Sequence, residues 1–101
     1  MNFINDLKKA KDLQNQRLFE EAKNIYEKII LTDKENFDAT IGLAIINYST
    51  NKISNSIELL TKLIKIYPEK IESYLNLSNI LISQNKYKET IDLLLKAHEI
   101  E

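Results

Sequence analysis

The sequence predicts an all-α solenoid of three helix-turn-helix repeats, six antiparallel helices in one domain. Three observations carry this. Shifting the chain by 34 residues lays it over itself without a gap, and apolar residues recur at helical spacing inside each unit. Only one Gly and one Pro occur in 101 residues, as expected of long helices joined by short turns.

The columns of the repeat are chemically consistent. Phe3, Phe37 and Ile71 share one, and Leu7, Ile41 and Leu75 another. Small residues recur at Ala10, Ala44 and Ser78, and again at Ala22, Ser56 and Thr90. Large apolar residues recur at Phe19, Ile53 and Tyr87 and at Tyr26, Leu60 and Leu94, and Lys28, Lys62 and Lys96 align as well. The repeats are therefore set at approximately 3–36, 37–70 and 71–101.

Each unit reads as two helices. Tyr74, Leu77, Ser78 and Leu81 lie on one helix face at i, i+3, i+4 and i+7, and Tyr87, Ile91 and Leu94 continue the pattern in the second helix. First helices are predicted near 3–16, 37–50 and 71–84, and second helices near 19–32, 53–66 and 87–100. Asn51 and Asn85 fall where the first helix must end in a tight turn, and Asn tolerates the left-handed conformation used there. Arg17 shares their column and should be slightly strained or differently turned. Pro68 stops the helix before it and opens the turn to the next repeat. The small pairs Ala10–Ala22, Ala44–Ser56 and Ser78–Thr90 let antiparallel helices approach closely.

Composition removes several function classes. With 14 basic and 15 acidic residues intermixed, the net charge is −1 and no basic stripe marks a nucleic-acid binder. There is no Cys, so disulfides, thiolate metal sites and thiol nucleophiles are excluded. The longest apolar run, Ile41 to Ile46, is far too short to span a membrane, and Met1 to Leu13 lacks a signal-peptide core. A cytoplasmic protein is expected, without cofactor or metal. His98 is the lone histidine, in a column with Ile30 and Ile64, and reads as a surface residue where a next repeat would stack. Gly42 stands alone within a helix and offers no phosphate-binding loop.

The 34-residue period and column order resemble the tetratricopeptide repeat. The third unit carries Tyr74, Leu77, Ser78 and Leu81, then Tyr87, Thr90, Leu94 and Ala97. The second contributes Leu43, Ala44, Leu60 and Pro68, and the first Ala10, Leu13, Phe19 to Ala22 and Tyr26. Asp6, Lys9 and Asn47 depart from the family's apolar preferences. The resemblance implies a right-handed superhelix whose first helices line a concave groove for an extended peptide or a partner helix. Some members grip acidic peptide tails with a clamp of Lys, Asn and Arg. At those places this chain has Leu7, Lys11, Gly42, Glu72 and Asn76, and Glu72 reverses the charge.

A protein-interaction scaffold follows as the leading function, with no catalytic residues. Stripes at i, i+4 and i+7 on the first helices give the groove candidates Lys11, Ile45, Tyr48, Asn76, Asn79 and Ile82. Leu7, Ile41 and Leu75 are expected to pack between repeats. The last helix carries unusually many apolar residues, and Leu93, Leu95 and Ile100 are the candidate face for a homo-oligomer. The alternative function is a structural or assembly module, either self-associating or the N-terminal repeat region of a larger, possibly transferase-type, bacterial protein.

Overall fold

The computed structural model describes residues 2–100. Six helices follow one another: α1 (Ile4–Asn15), α2 (Phe19–Thr32), α3 (Phe37–Ser49), α4 (Ile53–Ile66), α5 (Ile71–Ser83) and α6 (Tyr87–Ile100). Among the described residues there is no strand. The second helices lie where the periodicity places them. The first helices stop one residue earlier, because Gln16, Thr50 and Gln84 already serve as C-caps.

The three intra-repeat turns share one geometry. Arg17, Asn51 and Asn85 have φ of 62°, 65° and 60°. The following N–H groups of Leu18, Lys52 and Lys86 reach back to the carbonyls of Leu13, Asn47 and Leu81 at 2.9, 2.6 and 2.9 Å. This is the 6→1 closure of a Schellman turn, which satisfies carbonyls that a helix end would otherwise leave open. Asn fits the left-handed position with little strain, whereas Arg17 does not. The Arg17 guanidinium rests 5.0 Å from the Phe19 ring centroid, a contact that partly offsets the cost.

Small residues set the spacing inside each unit. Ala10, Ala22, Ala44, Ser56, Ser78 and Thr90 are all buried. The Ser56 hydroxyl donates to the Ala44 carbonyl at 2.7 Å, which requires the two backbones to be close. Between units, the apolar columns form two linked cores. Ala10, Ala22, Tyr26, Ile29, Ala39, Leu43 and Ile46 fill the first. Ala44, Leu60, Leu77, Ile80 and Leu81 fill the second, and Leu59 packs against both. The turn between α2 and α3 is tied down from the next repeat: Tyr67 donates to the Glu35 carbonyl at 2.6 Å and meets Phe37 edge-on at 5.5 Å.

Each helix packs on its sequence neighbours, and α1 also touches α3 and α3 touches α5. The backbones of α2, α4 and α6 stay well apart from one another. The first helices are thus the crowded inner layer of a curved stack, and the concave side belongs to them. Asp6 and Lys9, charged at columns buried in later repeats, are exposed because no helix precedes α1 in the described chain. Asn47 is half-buried, and its side chain makes no hydrogen bond among the described residues.

Two hydroxyls fit their sites poorly. Ser73 and Ser78 are buried with no hydrogen-bond partner. Their columns hold Ala39 and Ala44, which occupy the same place without a polar atom. Ser73→Ala and Ser78→Ala are each expected to raise stability by about 1 kcal/mol, since an orphaned buried hydroxyl costs about 1–3 kcal/mol. Urea unfolding checks this, with a higher midpoint at unchanged slope the expected result.

Candidate functional site

The concave layer encloses an open groove of about 660 Å³. Leu7, Ile41 and Ile45 give it an apolar floor. Lys8 and Lys11 of α1 stand on one wall, while Asp38 and Glu72, in the first turns of α3 and α5, supply opposite charge elsewhere on the rim. A smaller hollow of about 140 Å³ continues between α3 and α5, lined by Ile45, Tyr48, Asn76 and Asn79 over Leu60 and Ile80.

One contact shapes the larger groove. The Tyr26 ring, 3% exposed, lies so close to the α3 backbone that a Cβ on Gly42 would overlap it. A glycine inside a helix costs about 1 kcal/mol relative to alanine, so its presence calls for a reason, and the ring is the reason. The Tyr26 hydroxyl donates to Gln14 Oε1 at 2.8 Å, joining α2 to the groove wall of α1. Burial, reinforced by the Asp38 carboxylate, pushes that hydroxyl's pKa above its usual 10.0. Folding therefore holds the proton more tightly than the unfolded chain does. Its contribution is complete below pH 10 and is lost as pH rises through the folded value.

The six groove candidates separate. Lys11 and Ile45 line the larger groove, Ile45, Tyr48, Asn76 and Asn79 line the hollow, and Asn76 belongs to both. Ile82 does not belong with them: it is exposed near the end of α5, outside both depressions. Asn76 is half-buried, and its amide donates to the Glu72 carbonyl one turn back at 3.0 Å, so part of its capacity is used within α5. Asn79 is exposed with no such bond among the described residues. Leu7 and Ile41 pack against the two cores, as expected, whereas Leu75 is exposed. All five residues at the peptide-clamp positions, Leu7, Lys11, Gly42, Glu72 and Asn76, border the larger groove. Sequence reasoning missed Tyr26, Lys8 and Asp38 as groove residues. The lone mid-helix glycine was the signal that could have pointed to Tyr26.

The proposed oligomer face also needs correction. Leu93 packs against the second core, and Ile100 is half-buried. A helix turns about 100° per residue, so both lie well round α6 from Leu95, which is exposed.

Residues 71–101 match the family model described as tetratricopeptide repeat. The solved structures similar to the whole chain agree in fold. MamA 41-end from Desulfovibrio magneticus RS-1 superposes with a TM-score of 0.84 at 17% identity, over 98% of this chain and 56% of that one. The third repeat thus matches the tetratricopeptide model, and the whole chain shares the fold of these solved structures. A MamA RS-1 double mutant gives a TM-score of 0.83 at 17% identity over the same shares of both chains. MamA AMB-1 gives 0.76 at 20% identity, over 95% of this chain and 52% of that one. The chain thus spans little more than half the length of these structures. No curated protein matches its sequence.

Among the described residues no cluster of His, Asp and Glu is arranged to hold a metal, and no helix is long and apolar enough to cross a membrane.

Proposed function

We infer that this repeat protein is an interaction scaffold, which takes an extended peptide or a partner helix along the concave face of α1, α3 and α5. The observation that carries the reading is the continuity of the two depressions. An apolar floor at Leu7, Ile41 and Ile45 runs into a hollow edged by Tyr48, Asn76 and Asn79. Apolar pockets with a few fixed polar groups are what helix and peptide recognition uses. Tyr48 is 38% exposed and offers a large ring with a polar tip. Asn79 presents a free donor and acceptor to a peptide backbone. The mixed charge around the larger groove, Lys8 and Lys11 with Asp38 and Glu72, favours a ligand carrying both signs over a polyacidic tail. The role requires no cofactor and no catalysis by the chain, and a cytoplasmic setting suits it.

The test starts from peptides selected on the purified chain out of a random display library, followed by calorimetry on Tyr48→Ala, Asn76→Ala and Asn79→Ala. Loss of about 1–3 kcal/mol of binding is expected at Asn79, where truncation leaves a peptide group unpaired, and less at Asn76. Stability of Asn79→Ala should change by less than about 0.5 kcal/mol, as is usual for exposed positions. Affinity unchanged in all three variants moves the site off the concave face.

A further inference from the structure

The helix α6 ends the described stack with an uncovered apolar face. Ile91, Leu94, Leu95 and His98 follow one another at i, i+3, i+4 and i+7, and Tyr87 lies a turn earlier. All five are exposed. The column-mates of Leu94 are Tyr26 and Leu60, and these are buried because α3 and α5 cover them. The face is therefore continuous in kind with the two inter-repeat interfaces already described.

We propose that α6 is a homodimer interface, pairing antiparallel with α6 of a second copy about a two-fold axis.

Three features select that occupant. The first is Leu95. In its column Glu27 and Thr61 remain exposed even with a following helix stacked beside them. A further repeat would thus leave Leu95 in water, so the apolar face is wider than continued stacking needs.

The second is the opposite end of the molecule. Head-to-tail stacking of copies would set α6 against the outer face of α1. There Asp6, Lys9 and Asp12 stand in the columns of Thr40, Leu43 and Ile46, all buried in the second repeat. Burying three charges on an apolar stripe costs far more than it returns. An isologous pair, in which the same patch meets itself, avoids α1 altogether.

The third is the charge pattern beside the stripe. Lys88, Asp92, Lys96 and Glu99 are exposed and alternate in sign along one flank, just beyond Leu95. In an antiparallel pair that flank meets its own copy in reverse. Lys88 then faces Glu99 of the second copy and Asp92 faces its Lys96, so each contact joins opposite charges.

The experiment is sedimentation equilibrium of the full chain and three variants across a wide concentration range. Leu95→Glu places in α6 the residue the first repeat already carries, exposed, at Glu27, so the monomer fold should be unaffected and circular dichroism checks that. Dimer dissociation should rise ~100-fold or more in Leu95→Glu, because a charge enters the centre of the interface. Lys96→Glu should weaken the dimer ~10-fold by setting like charges against Asp92 of the partner copy. The exchange Asp92→Lys with Lys96→Asp should restore affinity to near that of the original chain. A chain that stays monomeric at all concentrations overturns the proposal, and leaves the face to a further repeat or a different protein. A dimer that survives Leu95→Glu, or one that the charge exchange does not rescue, overturns it as well.

Discussion

Gly42→Ala should destabilise the protein by about 2–4 kcal/mol, against the gain of about 1 kcal/mol that alanine normally brings to a helix interior. The added methyl would overlap the Tyr26 ring, which is wedged among core residues and cannot swing aside without leaving its seat. Overpacking of this kind typically costs about 1–3 kcal/mol, and the loss rises toward that of a vacated aromatic site if the ring is expelled. The next interface shows the remedy. Leu60 and Asn76 stand in the columns of Tyr26 and Gly42 and border the same hollow, a leucine facing a residue that has a Cβ. The double variant Tyr26→Leu with Gly42→Ala should therefore recover much of what Gly42→Ala loses. A double-mutant cycle by urea unfolding checks this, and additive effects would show that the ring and the glycine are not coupled. The pH profile gives a second readout. Replacing Tyr26 by Leu removes the loss of stability expected on the alkaline side of pH 10.

Leu60→Ala should cost about 2–5 kcal/mol, whereas Leu94→Ala, in the same column, should cost about 1 kcal/mol or less. Leu60 is 1% exposed, buried where α4 meets the next repeat, while Leu94 is 42% exposed because no helix among the described residues covers it. The comparison is made on dilute monomer, so that self-association does not cover Leu94. Because Leu59 joins the two cores, loss at Leu60 should lower the whole unfolding transition and not split it. Equal costs at the two positions would mean that burial here comes from within each repeat and not from stacking between repeats.

Much of this architecture was legible in the columns. The ungapped period places helix ends within a residue, and it marks Arg17, Asn51 and Asn85 as left-handed even though Arg is a poor choice there. Turn geometry is local, so a repeating sequence exposes it. Part of the concave stripe was legible for the same reason, since the column-mates Leu7 and Ile41, Lys11, Ile45 and Asn79, and Gln14 and Tyr48 all line the two depressions.

The rest depended on contacts that no column contains. Tyr26 enters the groove only because α3 offers a glycine opposite, a pairing between different columns of neighbouring repeats. Asn76 turns out to be partly engaged with its own helix, which depends on a rotamer and not on spacing. Ile82 follows the stripe in number, but its column-mates Gln14 and Tyr48 line depressions completed by the first helix of the next repeat, and no such helix faces α5 among the described residues. Leu93 and Ile100 were grouped with Leu95 by composition, and only the angular position of each around α6 separates them.

The central claim, that the concave face receives the partner, is tested most directly by a nitrogen-proton correlation titration with a library-selected peptide. Backbone signals from α3 and α5 and the side-chain amide of Asn79 should shift in step with occupancy, and those along the outer surfaces of α2 and α4 should stay in place. Shifts confined to α2, α4 or the exposed face of α6, with Tyr48 and Asn79 unmoved, would contradict the account.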